Sequence, residues 1–296
     1  MFKKRHSFFF INLLLGLFIY GFFLGNLNHE SFNLSKETIE ECASYTKKNY
    51  NPNYIRNCII HSHAIFSLMI LVGGAVGSLL SFSLLKLQYG RMKIIKISDL
   101  IGIIGMILAY FDSFPTFGFH RLICGVYSGL NLAIVPIIIK ETINIKRFSY
   151  FASLPNVVMS FGVLVSYIEG ISFVVSTTVI LTILIFRLLV NLFIYPIETP
   201  LYYFYKEKEK FGKSLVFFEK YEQPERVEER LTQAQTIYRN DFEVWVLYRQ
   251  KYIKGIFLSF FLNLLANLSG AYVFIYSSSF IPPIKQYTFA FGIYLK

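Results

Sequence analysis

Charge is scarce in this chain: Asp, Glu, Lys and Arg make up 16% of its 296 residues, where an average soluble domain carries about a quarter. Against 54% hydrophobic and 18% aromatic residues and a mean hydropathy of +0.49, so few charges exclude a water-soluble protein, which could not cover that much apolar surface. Also missing is the strand-type alternation, about ten residues at a time, that a membrane barrel repeats. The apolar runs are therefore read as helices, the other way of satisfying backbone hydrogen bonds in lipid. No Ser-His-Asp arrangement, phosphate-binding loop or pair of carboxylates placed for acid-base work occurs in the sequence, which argues against an enzyme. His61 and His63 stand two apart without a third ligand at suitable spacing, so they are read as interfacial histidines, with no metal and no cofactor expected. Cysteine is limited to three residues, with Cys124 in an apolar run and Cys42 and Cys58 in one polar segment. That pair is either a disulfide, if the segment faces an oxidising compartment, or two free thiols.

What the chain has instead is a series of apolar runs close to the length of about 18 to 20 residues that a spanning helix needs. They predict six spans at 8–27, 61–85, 94–111, 120–140, 151–168 and 171–195, a charged helical linker over 201–252, and a seventh span over 253–281. The first run follows the basic MFKKRH and could be a signal peptide. It is too long for a signal core, however, and carries GFFLGNLN at 21–28 where a small-residue cleavage site would stand, so it is taken as a span. The formal net charge is +11, and the Lys and Arg residues gather in alternate loops. Lys86, Arg91, Lys93 and Lys96 follow the second run with no acid before Asp99, and Lys140, Lys146 and Arg147 follow the fourth. This is the positive-inside pattern of a multi-pass protein whose N-terminus and linker are cytoplasmic. It makes the lipid bilayer the partner of the basic residues and leaves no case for nucleic acid.

Small residues and charges give the spans their detail. Gly73, Gly74 and Gly77 lie in SLMILVGGAVGSLLSF, and Gly125 and Gly129 in HRLICGVYSGLNLAIVPIIIKET at 120–142; such spacing lets two membrane helices approach closely. Arg91, Glu141, Arg147 and Glu198 fall at cytoplasmic ends of spans, where opposite charges can pair across helices and part when that side opens. The alternative is a set of solvated interface charges, each pair contributing about 0 to 1 kcal/mol. Arg187, inside the sixth run, is a functional candidate by default in lipid. Lying about two turns from the cytoplasmic end, it is expected to snorkel to the interface. Arg121 is read as a structural charge facing the bundle.

Four motifs, in order, carry a family resemblance. They are GGAVGS with the later Gly90-Arg91, the Arg–Gly–Gly–Pro–Glu pattern of 121–141, IETP at 197–200, and LSGAYVFIYSS in the seventh run. The chain resembles the sugar porters of the major facilitator superfamily, the facilitative hexose transporters among them, over nearly its whole length. The resemblance implies an all-α membrane protein: a six-helix N-terminal bundle, a cytoplasmic helical linker and a seventh helix, with the second half truncated. It implies transport of a hexose-type sugar by alternating access across what is expected to be the plasma membrane. Alternatives are a transport-inactive half-transporter acting as a sensor or assembling with a partner that supplies the second half, or a carrier for another small polar solute. By resemblance the sugar contacts are Asn156, Asn263 and Asn267, with Ala266 standing where an amide is usual; each Asn could equally be packing glue between helices. Phe23 occupies the place of the Asp found in proton-coupled members, which implies downhill facilitation. The charge network is thinner than the family's, with Leu87 and Gln88 for Asp and Arg, Met92 for Arg, Asn144 for Pro and Leu201 for Arg.

Overall fold

The computed structural model describes residues 8–25, 52–87, 89–111, 114–142, 145–166, 173–195 and 197–199, with isolated positions at 202, 203, 206, 253, 257, 258 and 261. Among the described residues there is no strand. The described residues form six long helices: α1 (Phe8–Gly25), α2 (Pro52–Lys86), α3 (Arg91–Leu108), α4 (Phe114–Thr142), α5 (Ile145–Ser166) and α6 (Phe173–Phe193). Four of them contain segments long and apolar enough to cross a membrane, Phe8–Gly25, Ala64–Lys86, Pro115–Thr142 and Phe173–Phe193. Of the linker expected over 201–252 and the span expected over 253–281, almost all lies outside the described residues, Asn263 and Asn267 included.

The helices depart from the expected spans at their ends. α2 begins at Pro52, well before 61, and α4 at Phe114, inside what reads as a turn. In both cases a proline sits in the first turn, where its missing N–H costs nothing and its fixed φ suits a helix. Cys58 consequently belongs to α2 rather than to a polar loop, while Cys42 lies outside the described residues. α3 stops at Leu108 because Ala109, Tyr110 and Phe111 turn back with hydrogen bonds to the carbonyls of Met106, Ile107 and Leu108. α5 starts at Ile145, earlier than 151, and α6 covers a shorter stretch than 171–195.

α4 is the central helix, packed against α2, α3 and α5, and α3 packs in turn on α6. Two apolar clusters fill the interior. One gathers Phe9, Leu13, Met92, Ile95, Ile138 and Tyr195, and the other Phe22, Phe23, Met106, Cys124, Tyr127 and Leu184. The outer faces are also apolar, with Leu68, Leu79, Phe82, Phe161, Phe186 and Phe193 all exposed, the distribution expected where the solvent is hydrocarbon.

Two seams hold backbones in contact. At the α2–α4 seam a Cβ on Gly125 would strike the Ile70 carbonyl and come within 2.9 Å of the Gly73 Cα, and one on Gly129 would meet the Ser78 N at 2.8 Å. Gly73 and Gly77 abut the Leu122 and Val126 carbonyls in the same way. Gly74 is different: a Cβ there would find only the Gly125 O at 3.9 Å. The second seam joins α1 to α5, where Gly21 lies against the Met159 carbonyl and Gly162 against that of Phe18. Gly125→Leu should force α2 from α4 and cost about 1 to 3 kcal/mol or more, read as a lowered melting temperature in detergent, whereas Gly74→Ala should leave it unchanged. Equal effects would show that α2 and α4 do not meet in this register.

Candidate functional site

Between the two apolar clusters lies a layer of polar side chains. Asp99 on α3 and Arg187 on α6 form an ion pair there, with side chains 0% and 1% exposed. Every nitrogen of the guanidinium is used. Nη1 donates to Asp99 Oδ1 and, at 2.9 Å, to the Tyr127 hydroxyl; Nη2 donates to Asn131 Oδ1 at 2.8 Å; Nε donates to the Asn12 carbonyl at 3.1 Å. The second carboxylate oxygen accepts from Asn191 Nδ2 at 2.9 Å, and Asn191 accepts from Asn12 Nδ2 at 2.6 Å. Asn131 Nδ2 donates to Ser98 Oγ and to the Tyr127 carbonyl, both at 3.0 Å. A buried charge pair holds only where its remaining polar valences are met, and here the Asn, Ser and Tyr side chains meet them.

This position corrects the reading of Arg187 as an interfacial, snorkelling side chain. Its partner Asp99, counted in the sequence only as the end of a basic loop, supplies the counter-charge that makes burial tolerable. The signal was present, since an acid and an arginine each inside an apolar run cost more alone than paired. Arg121 is also buried and donates from Nη1 to the Phe23 carbonyl at 2.9 Å, with its guanidinium 5.4 Å from the Phe117 ring centre. The Phe23 ring meets Tyr127 edge to face at 5.9 Å.

A second polar site closes the end of the bundle where α3 begins and α4 finishes. Arg91 Nε donates to Glu141 Oε1 at 3.1 Å, with both side chains largely buried, at 9% and 8% exposure. Glu198 lies beyond α6 and meets the start of α3. Its carboxylate accepts the first backbone N–H groups of α3, from Met92 to Oε2 at 2.9 Å and from Lys93 to Oε1 at 3.0 Å. Helix N-termini expose unpaired N–H groups and partial positive charge, so a carboxylate is well placed there. Gly90, in extended conformation before the helix, leaves the room: a Cβ would collide with the Glu198 carboxyl. Thr199 is fully buried beside Glu141. Arg147 lies on α5, but its side chain is outside the described residues. Of the four expected charges, Arg91 and Glu141 form an ion pair and Glu198 caps α3. Asn156 stands on an exposed face of α5, one residue after Pro155. Among the described residues no group of three His, Cys, Asp or Glu side chains is placed to hold a metal.

Burial pushes the Glu198 carboxyl above its ordinary value, opposed by the N–H groups of Met92 and Lys93 and by the charges of Lys96 and Lys93. The folded protein therefore binds this proton more readily than the unfolded chain, and stability from the group rises as pH falls towards the raised value. Wild-type protein should gain melting temperature relative to Glu198→Gln on going from neutral to mildly acid pH; a pH-independent difference would refute the shift. At the polar layer, a Cβ on Gly16 would meet Arg187 Nη2 and Asn131 Oδ1 at 2.6 Å. Gly16→Ala should displace the guanidinium from Asn131 and cost about 1 to 3 kcal/mol, seen as a lowered melting temperature in detergent; a wild-type value would show that Arg187 does not need this space.

The model of the family described as "Sugar (and other) transporter" matches residues 9–285. A search of curated proteins found no match. Among solved structures, the inward open conformation of the xylose transporter XylE from E. coli superposes with a TM-score of 0.62 at 16% identity, covering 92% of this chain and 63% of that one. Its partially occluded inward open conformation gives 0.60 at 17% identity, covering 93% and 66%. A third structure, of the proton:xylose symporter XylE bound to 6-bromo-6-deoxy-D-glucose, gives 0.51 at 17% identity, covering 78% and 53%. The chain spans between about half and two thirds of the length of these structures, 53% to 66%, and shares their fold. Its helices, its paired charges and the family match over residues 9–285 make it a multi-pass membrane protein of the sugar porter family of the major facilitator superfamily, a family of transporters and not of enzymes.

Proposed function

We propose that this chain carries a hexose-type sugar across a membrane by alternating access, as facilitated diffusion. The observation that carries the reading is the family match over residues 9–285. In folds of this kind the substrate sits near mid-membrane between two helical bundles that rock about it. Asn156, exposed on α5, offers an amide that can both donate to and accept from a sugar hydroxyl; Asn263 and Asn267 are assigned to the same site. The N-terminus and the end carrying Arg91, Glu141, Arg147 and Glu198 are assigned to the cytoplasm on the distribution of Lys and Arg, and the membrane to the plasma membrane on the family resemblance.

At that end the buried Arg91–Glu141 pair is well suited to a latch. It joins α3 to α4 when the side is shut, and its groups regain water when the side opens. Glu198 serves it indirectly, by fixing the N-terminus of α3 that carries Arg91. Downhill transport is favoured by Phe23, whose ring is packed on Tyr127 and whose carbonyl takes the Arg121 bond; neither group binds a proton at physiological pH.

Uptake of radiolabelled glucose by transporter-null cells expressing the full chain tests the proposal. Asn156→Ala should raise KM about threefold to tenfold, the effect of one lost neutral hydrogen bond, and a protonophore should leave uptake unchanged. Uptake that collapses with the protonophore would overturn facilitation, and a KM indifferent to Asn156 would remove it from the sugar site.

A further inference from the structure

The polar layer has a feature that its role in burying one charge does not require: its members come from four different helices. Asn12 and Gly16 belong to α1, Ser98 and Asp99 to α3, Tyr127 and Asn131 to α4, and Arg187 and Asn191 to α6. Arg187 alone bonds to a residue of each of the other three. The bonds form closed circuits rather than a chain. From Asp99 one path runs through Asn191 and Asn12 back to Arg187, and another from Arg187 through Asn131 to Ser98, the neighbour of Asp99. Shifting any of the four helices along its axis would break several bonds at once and leave buried polar groups unmet.

The α3–α4 interface carries the same register to both ends. Its ties recur every seven residues along α3. Arg91 meets Glu141 at 3.1 Å, Ser98 meets Asn131 at 3.0 Å, and the Gly105 carbonyl meets His120 Nδ1 at 2.7 Å. Between the last two, Gly102 lies against the Tyr127 ring. On the α3–α6 side, the Tyr110 and Thr178 hydroxyls meet at 2.8 Å beyond the far end of α3.

We infer that Arg187 is a positioning residue that locks α1, α3, α4 and α6 in one register, so that the four helices open and move as a single unit. The Arg91–Glu141 pair joins two helices of that unit, so it is made or broken by movement of its side chains, not by α3 sliding along α4. This stands whether or not the chain carries sugar, because it concerns cooperativity within the bundle.

Hydrogen exchange of the full chain in lipid nanodiscs tests it, since residues that open together share one protection factor. Tyr127→Phe removes one hydroxyl bonded to Arg187 while keeping the ring, and leaves the ion pair in place. Protection should fall about tenfold, the effect of losing one bond to a charged group, and by the same factor in α1, α3, α4 and α6. Arg187→Gln should produce a larger common fall, and Asp99→Asn with Arg187→Gln a smaller one than Arg187→Gln alone, because no unpaired charge is left behind. If the Arg187→Gln protein does not fold, the Tyr127→Phe comparison decides alone. A fall confined to α4 and α6, with α1 and α3 unchanged, would overturn the inference.

Discussion

A carboxylate and a guanidinium shut away from water are the constraint around which this bundle is built. Neither Asp99 nor Arg187 could remain charged in hydrocarbon alone, and together they still need their remaining hydrogen-bonding valences met. The chain answers with Asn12, Asn131, Asn191, Ser98 and Tyr127, each from a helix that must then stand at a set height. Gly16 belongs to the same requirement, since any larger residue on α1 would occupy the place of the guanidinium. The two apolar clusters on either side supply packing, but apolar packing is tolerant of small shifts. The polar layer is not.

Backbone contact supplies the other kind of order. In lipid there is little hydrophobic gain from bringing helices together, so close packing and polar contacts must do it. α2 meets α4 and α5 meets α1 through glycines set against carbonyls of the partner. Large apolar side chains, displaced from these seams, go to the outer faces, where lipid accepts them without cost. These helices thus set small residues against one another at the seams and expose Leu68, Leu79, Phe82 and Phe161 on the outer faces, a surface that water would not favour.

Much of this was legible in the sequence, and for physical reasons. Composition and run length gave the helical membrane class, because helices and closed barrels are the arrangements that satisfy backbone groups in lipid and the strand alternation of a barrel is missing. Gly125 and Gly129 at one-turn spacing announced a close crossing, and the structure identifies Gly73, Gly74 and Gly77 as the facing backbone, with room for a side chain at Gly74 alone. The α1–α5 seam was less visible, because Gly21 and Gly25 flank a phenylalanine-rich stretch and were read only as the end of a span. Arg187 was misplaced because its distance from the helix end suggested an escape to water; what kept it inside was a carboxylate 88 residues away in sequence, beyond the reach of any local pattern. Glu198 was legible as a member of a motif and not as a cap, since its partners are backbone N–H groups, which carry no residue-type signature.

The Glu198 contact also bears on the order in which the protein is made. The carboxylate that completes the first turn of α3 lies 106 residues after Met92, beyond three further helices. At about 5 to 20 residues per second, α3 spends on the order of 5 to 20 s of synthesis with its leading N–H groups turned to water and lipid headgroups. The N-terminus of α3, met early by the ribosome, is thus finished late, and the end of the bundle that holds Arg91 and Glu141 takes its final form only after α6 is in place.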